Sequence, residues 1–192
     1  MYKLCKTEQS AARQRAFEEG LLQLMGTRRY EDITVSDLCE YLKIPRKSFY
    51  RYFSGKDGAL HGLIDHTLME FEVHSGQKRG SKRTLQSDLE GFFLFWKEHR
   101  NILEAAKRSG LSGALIERAI SYSMSESVFP GRFLPNESKE TQKHVVMFSV
   151  CGLMSMMLQW HSGGCAEPIP EMARVAGRLL TQPLFPDARK LL

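Results

Sequence analysis

The sequence predicts an all-α protein, and three observations support this class. Apolar residues recur at helical spacing through most of the 192 residues, as at Val35, Leu38, Cys39 and Leu42. Proline and glycine separate these segments, and no alternating strand pattern of useful length occurs. Hydrophobic residues make up 42% and charged residues 26%, which is typical of globular chains and excludes a disordered or low-complexity protein.

Each predicted helix has its own apolar stripe or terminal signal. Pro45, which has no backbone N–H, ends one helix and suits the first turn of the next. In that next helix, Phe49 and Phe53 are four residues apart and are expected to face inward. The predicted helices cover about residues 8–25, a short segment capped by Thr34 or Ser36, then 46–53, 56–74, a helix that begins at Thr84 or Ser87, 100–109, 112–128, 139–161 and 170–180.

The positive charge of the chain is concentrated near its beginning. Residues 1–56 contain 11 basic and 7 acidic residues, whereas the remainder contains 16 and 15. Five cations and no acid occur between residues 43 and 56: Lys43, Arg46, Lys47, Arg51 and Lys56. Such a stripe is expected where a protein contacts phosphates, although a merely solvated basic face has the same composition.

Two short helices joined by a turn of three or four residues predict a helix-turn-helix. The second of them carries a basic, polar face on the side opposite its inward phenylalanines. In this motif one helix crosses the nucleic-acid backbone and the other lies in the major groove, where polar side chains reach base edges. The predicted partner is therefore double-stranded DNA.

The segment from Tyr30 to Leu60 resembles the DNA-binding head of the TetR family of transcriptional regulators. The most specific part is Ser48-Phe49-Tyr50-Arg51-Tyr52-Phe53 followed by Lys56, and the similarity covers about residues 8–65. The resemblance implies phosphate contacts from Tyr50 and Lys56, base contacts from Arg46, Lys47 and Ser48, phosphate contacts from Thr34 and Ser36, and a peripheral contact from Arg51. The chain has Lys43 where the family usually has glycine and Pro45 where it usually has serine, so we expect a modified turn.

The remainder of the chain predicts a helical bundle. We divide the chain into a helix-turn-helix DNA-binding domain, residues 1–56, and a helical ligand-sensing and dimerisation domain, residues 57–192. The run from Val145 to Trp160 is apolar almost all round and must be covered on both sides. The resemblance implies a homodimer through helices at about 139–161 and 170–180, the latter offering Met172, Val175, Ala176, Leu179 and Leu180. The alternative is that both helices are central to a monomeric bundle.

The resemblance also implies a small-molecule effector inside this bundle. A soft, apolar lining favours a hydrophobic or aromatic effector, with His99 and His161 as the plausible polar anchors. The candidate lining residues are Phe92, Trp96, His99, Met124, Phe129, Met147, Cys151, Met154 and Trp160. Two alternatives remain at this point: these residues are ordinary core, or the bundle docks a protein partner and the chain acts as an interaction module.

Several classes of protein are disfavoured by the sequence. The six histidines form no HExxH pattern, and GxSxG, P-loop and GxGxxG motifs do not occur, so we expect no enzyme and no cofactor. The four cysteines are far apart and predict neither a zinc site nor a disulfide framework. Without a signal-like N-terminus or a membrane span, the expected location is the cytoplasm. We therefore predict a cytoplasmic homodimeric regulator that acts as a repressor on a palindromic operator.

Overall fold

The computed structural model describes residues 1–3, 5–77, 84–125 and 137–182, and these residues form an all-α fold. No strand occurs among them, which confirms the predicted fold class. The helices are α1 (Glu8–Met25), α2 (Val35–Tyr41), α3 (Arg46–Phe49), α4 (Lys56–Gln77), α5 (Leu85–Glu98), α6 (Arg100–Arg108), α7 (Ser112–Ser123), α8 (Lys139–Ser162) and α9 (Ile169–Thr181), with a 3-10 turn at Tyr30–Asp32.

Side-chain caps set where several helices begin. The hydroxyl oxygens of Thr7 and Ser138 accept from backbone N–H groups in the first turns of α1 and α8. Thr34 and Thr84 form capping boxes with the third residue of α2 and of α5. Of the two predicted caps for α2 and the two predicted starts for α5, the structure selects the threonine in each case.

Two predicted helices are shorter than expected. The prediction that the third helix extends to Phe53 is wrong, because α3 ends at Phe49. The backbone N–H groups of Arg51 and Tyr52 donate to carbonyls three residues back, those of Ser48 and Phe49, and tighten the chain into a turn. An isolated antiparallel bridge between Tyr2 and Phe53 then fixes the end of this turn. Similarly, α7 ends at Ser123 rather than 128, and residues 126–136, which include Phe129, lie outside the described part of the chain.

The first three helices pack around an aromatic cluster that we call the head cluster, formed by Phe17, Phe49 and Phe53. All three side chains are buried. The Phe17 and Phe49 ring centroids are 5.4 Å apart in an edge-to-face arrangement, and those of Phe49 and Phe53 are 5.1 Å apart. The inward positions predicted for Phe49 and Phe53 are therefore confirmed.

Helix α4 connects this head to the remaining helices, because it packs on α1 at one end and on α7 further along. Within the bundle, α9 packs along α5 and α8 packs along α7. Trp96, Phe93 and Trp160 form much of the bundle core, with the Phe93 and Trp160 rings 5.5 Å apart. The predicted domain boundary at residue 56 falls on the first residue of α4, and it stays a prediction because this helix contacts both parts.

Helix α8 has a packed side and an open side. Val146, Met154, Met157 and Trp160 are buried, whereas Phe148 is 65% exposed. Of the helices in the described part of the chain, α8 alone has the length and composition that could cross a membrane. Its inner side is packed like that of a core helix, but most of its apolar segment is not buried within one chain.

The turn between α2 and α3 contains a strained residue. Lys43 has a φ of +54°, in the left-handed region that non-glycine residues rarely adopt. The conformation persists because the N–H of Lys43 donates to the Glu40 carbonyl and that of Ile44 donates to the Cys39 carbonyl at 2.9 Å. Lys43 thus occupies a position suited to glycine, as the resemblance implies.

Replacing Lys43 with glycine should relieve this strain. We expect Lys43→Gly to raise the free energy of unfolding by about 0.5–1 kcal/mol, because the steric cost of the left-handed conformation disappears. Chemical denaturation measures the change. The matched control, Lys47→Gly inside α3, should instead lower stability, and a loss of stability in Lys43→Gly would contradict the strain.

Candidate nucleic-acid interface

The exposed side of α3 carries the residues predicted to contact bases. Arg46 and Lys47 are exposed, Ser48 is half-buried, and Phe49 between them and Tyr50 points into the head cluster. Because Phe49 is fully buried, the other side of this short helix must face solvent. The structure therefore brings the predicted base-contacting residues onto one open surface.

Tyr50 and Arg51 extend this surface past the end of α3. Tyr50 is 47% exposed, and its ring meets Phe49 edge-to-face with centroids 5.4 Å apart. The guanidinium of Arg46 donates to the Tyr50 hydroxyl oxygen at 3.4 Å, which leaves the hydroxyl free to donate its proton outward. Arg51 is exposed beside them. These side chains can present cations and a hydroxyl to a phosphate-bearing partner.

The start of α2 contributes Thr34 and Ser36, both exposed. The Thr34 hydroxyl donates to Asp37 Oδ2 at 2.6 Å and accepts from the Asp37 N–H at 3.1 Å, so its geometry is fixed by the capping box. Hydrogen bonds from Thr34 and the nearby Arg28 guanidinium lower the pKa of Asp37 to about 2. The carboxylate therefore stays ionised and holds the first turn of α2 in place at neutral pH.

A cleft of about 350 Å³ separates the first turns of α1 from α3. Its lining includes Gln9, Ser10, Arg13, Lys43, Ser48 and Arg51. Three cations face this cleft and no carboxylate is among the described residues that line it. The sequence reasoning missed the α1 contribution, although Gln9 and Arg13 precede Phe17 by eight and four residues and so share its helix face.

The fold of this chain is similar to those of several solved structures. The fatty acid degradation regulator FadR from Bacillus halodurans matches with a TM-score of 0.61 and 10% identity, over 94% of this chain and 98% of its own. A TetR transcriptional regulator from Streptococcus agalactiae gives 0.61 and 14%, over 91% and 96%. A tetR-family regulator from Streptomyces coelicolor gives 0.55 and 18%, over 88% and 79%. No family model and no curated protein matches the sequence.

The chain has the TetR fold. This confirms the structural part of the resemblance seen in the segment from Tyr30 to Leu60. The identities are low, so the likeness concerns the arrangement of helices rather than particular side chains. The roles of individual residues must therefore come from the geometry of this chain.

Within this TetR fold, Lys56 has an internal role. Its ammonium donates to the carbonyls of Tyr30 and Ile33, each at 2.6 Å, and lies 4.1 Å from the centre of the Tyr30 ring. A further contact at 3.4 Å reaches the Glu31 carbonyl, so its three protons are all directed at the protein. The ammonium fastens the start of α4 to the 3-10 turn, and the phosphate contact that the resemblance implies for Lys56 stays a prediction.

The residues predicted to line an effector pocket do not surround a common cavity among those described. Phe92, Trp96 and Met154 are buried in the bundle core, whereas Met147 is 42% exposed on α8. Met124 and Cys151 are half-buried, and the His99 ring stacks on Phe95 with centroids 4.0 Å apart. None of them lines either of the two cavities described, but His161, the other predicted polar anchor, lines a cavity between α6, α7 and α8. The effector pocket stays a prediction.

Lys56 supplies a direct test of the head geometry. We expect Lys56→Met to lower the free energy of unfolding by about 2 kcal/mol without DNA, because charge-assisted hydrogen bonds to backbone carbonyls are lost. Denaturation of the DNA-free protein measures this loss. The exposed Lys47 provides the control: Lys47→Met should leave stability nearly unchanged, and equal stability of the two variants would show that Lys56 does not anchor the turn.

Proposed function

We propose that the protein is a DNA-binding transcriptional regulator of the TetR type. The observation that carries the proposal is the open, cationic face of α3, held outward by the buried Phe49 and flanked by the cleft that contains Arg13, Lys43 and Arg51. A helix with this face can enter the major groove while the surrounding cations neutralise phosphates. The TetR fold of the whole chain supports the same function.

The proposed roles follow the position of each side chain. Arg46, Lys47 and Ser48 would contact base edges, since they lie on the exposed face of α3. The exposed polar residues around α3 would contact phosphates. These are Thr34, Ser36, Tyr50 and Arg51, as predicted, together with Arg13 and Lys43, which line the cleft. Lys56 would act as a positioning residue whose ammonium braces the head.

We propose that the protein acts as a homodimer through α8 and α9. The α8 apolar face, defined as Met147, Phe148, Cys151 and Gly152, does not pack against the described core, and Phe148 is 65% exposed. A side chain placed at Gly152 would meet nothing within 4 Å, so the backbone is open to close approach by a partner. An exposed apolar surface of this kind is typical of an interface.

Helix α9 contributes a second outward strip. Ala173 and Ala176 are buried, so Ala176 faces its own chain rather than a partner. Leu180 also packs against the core, whereas Leu179 is 42% exposed and Val175 is half-buried outside the core. The apolar surface left for a second copy on α9 is therefore narrower than the predicted stripe. A dimer would present two heads to half-sites about one helical turn of DNA apart.

Repression and a small-molecule effector are further parts of the proposal, and both rest on the resemblance. The hydrophobic character of the effector rests on the apolar residues predicted to line its pocket, and the cytoplasmic location rests on the sequence expectation. The fold accommodates more than one direction of control, since another structural neighbour is described as the dihydroxyacetone kinase operon activator DhaS, with a TM-score of 0.55 and 15% identity. The direction of control is measured with a reporter gene placed under an operator that the protein selects from genomic DNA. Expression that rises when the regulator is deleted indicates a repressor.

DNA binding tests the proposed contacts individually. Operator fragments are first selected from genomic DNA by the wild-type protein, and affinity is then measured at several salt concentrations. We expect Arg13→Met and Arg51→Met each to reduce the slope of log affinity against log salt by about 0.9, because each removes one phosphate contact. Arg46→Met should instead reduce discrimination between the operator and a mismatched site.

The control for these variants is Lys97→Met, which removes an exposed cation from α5, outside the head. It should leave both the salt slope and the discrimination unchanged. Salt-insensitive binding by the wild type, or equal slopes for all four variants, would contradict the DNA-binding proposal and favour the interaction-module alternative.

The dimer is tested by the mass of the protein in detergent-free solution. The chain mass is 22.0 kDa, so the wild type should scatter as a particle of about twice that mass at micromolar concentration. Phe148→Asp should give the monomer mass, because the interface would bury the new carboxylate without a group that pairs with its charge.

The matched control is Leu94→Asp, which places the same charge at a 39% exposed leucine on α5. It should remain dimeric. A monomeric wild type would contradict the paired-head arrangement, and a protein that requires detergent would indicate that α8 meets lipid rather than a second copy.

A further inference from the structure

The segment before α1 is fastened to the turn that follows α3. The N–H of Lys3 donates to the Tyr52 carbonyl at 2.9 Å, and the N–H of Ser54 donates to the Met1 carbonyl at 3.1 Å. These two bonds flank an isolated antiparallel bridge. We call residues 1–3 the N-terminal strap.

Tyr2 points inward and anchors the strap to the bundle. Its hydroxyl donates to Asp65 Oδ2 at 2.9 Å, and its ring meets the His66 ring edge-on with centroids 5.5 Å apart. Asp65 is buried and also accepts from the Arg118 guanidinium at 2.9 Å. Burial and the hydrogen bond to Asp65 raise the pKa of Tyr2 to about 12, so the hydroxyl stays protonated and keeps donating at neutral pH. The strap is therefore held at a defined position on the head.

Helix α4 leaves space for the strap at Gly58. A side chain at this position would place its Cβ 2.5 Å from the Met1 carbonyl oxygen, which is closer than real Cβ atoms approach. Alanine favours helices more than glycine does, so helix formation does not explain a glycine here. The glycine instead permits the close approach of the strap.

The anchored strap brings cations to the surface of the head. Residues 1–13 contain Lys3, Lys6 and Arg13 and one acidic residue. Lys3 and Lys6 are exposed, and neither makes an ion pair with another described residue. Because side chains alternate along an extended segment, Lys3 lies on the side opposite the inward Tyr2 ring.

The two lysines lie next to residues that line the cleft between α1 and α3. Tyr52, whose carbonyl accepts from the Lys3 N–H, is one of these lining residues. Gln9 and Ser10, which closely follow Lys6 in the chain, line the cleft from the side of α1. The cleft already contains three cations, and no carboxylate is among the described residues that line it. A nucleic-acid backbone that enters it would therefore meet a further lysine at each side.

We propose that Lys3 and Lys6 contact DNA phosphates, and that the N-terminal strap places Lys3 beside the cleft. This inference rests on the proposed function and extends the interface beyond the helix-turn-helix and α1. Each lysine would neutralise one phosphate and release its counterion. Tyr2 and Gly58 would be positioning residues, because they hold the strap without touching DNA.

The salt dependence of DNA binding tests the two lysines. Affinity of the full chain for a selected operator fragment is measured at several salt concentrations. We expect Lys3→Met and Lys6→Met each to reduce the slope of log affinity against log salt by about 0.9, and the double variant to reduce it by about 1.8. Thermal unfolding without DNA should be unchanged, since both side chains are exposed. The control Lys97→Met should leave the slope unchanged.

Placement of Lys3 by the strap is tested without changing a charge. Gly58→Ala should displace the strap and reduce the slope by about 0.9, as Lys3→Met does, because the lysine loses its position. The matched control is Gly113→Ala in α7, where a Cβ would meet nothing within 4 Å, and it should leave the slope unchanged. Tyr2→Phe keeps the ring and removes only the hydrogen bond to Asp65, so it supplies the same test if Gly58→Ala prevents folding.

The outcomes separate this inference from the proposed function. Wild-type slopes for both lysine variants, together with a reduced slope for Arg13→Met, would overturn the lysine contacts and leave the DNA-binding function standing. Wild-type binding that does not depend on salt would overturn both. Reduced slopes for the lysine variants, with wild-type slopes for Gly58→Ala and Tyr2→Phe, would support the phosphate contacts and overturn their placement by the strap.

Discussion

The exposed face of α3, which we propose as the DNA-binding surface, depends on the packing of Phe49 against Phe17 and Phe53. Helix α3 contains only four residues, and a helix of that length is unstable in water by itself. Its position comes from burial of the Phe49 ring, an effect of about 1.5–3 kcal/mol, and from the edge-to-face contact with Phe17. Without this contact, α3 would not hold Arg46, Lys47 and Tyr50 on one exposed surface.

A second set of contacts ties the head cluster to the bundle. The Tyr30 N–H donates to Ser109 on one side, while its carbonyl accepts from Lys56 on the other, and its hydroxyl donates to Asp57. Burial, with the Asp57 hydrogen bond, raises the pKa of Tyr30 well above its ordinary value, so the hydroxyl stays protonated and keeps donating. Tyr30 therefore links α4, the end of α6 and the helix-turn-helix.

Much of the fold could be predicted from local sequence signals, because capping and periodicity are local properties. The predicted range of the first helix, about residues 8–25, agrees with Glu8–Met25, whose ends lie next to the local signals Thr7 and Gly26. The end of α3 could not be predicted, because the bridge between Tyr2 and Phe53 joins residues distant in sequence. Periodicity also does not separate core from cavity, which is why Trp96 was a candidate lining residue although it is buried in the core.

The site was predictable to a similar degree. The charge stripe and the helix-turn-helix spacing locate the exposed face of α3, which the structure places on one surface. The contribution of Arg13 could not be predicted, because it depends on how α1 crosses α3. The carbonyl contacts of Lys56 could not be predicted either, because they depend on the position of the 3-10 turn.

We propose that the exposed face of α3 is the surface that meets DNA. Amide hydrogen exchange of the full chain, with and without a selected operator fragment, tests it most directly. We expect the added protection on DNA binding to be concentrated in residues 34–52 and the first turns of α1. Protection confined to α8 and α9, or no difference between the two states, would contradict it.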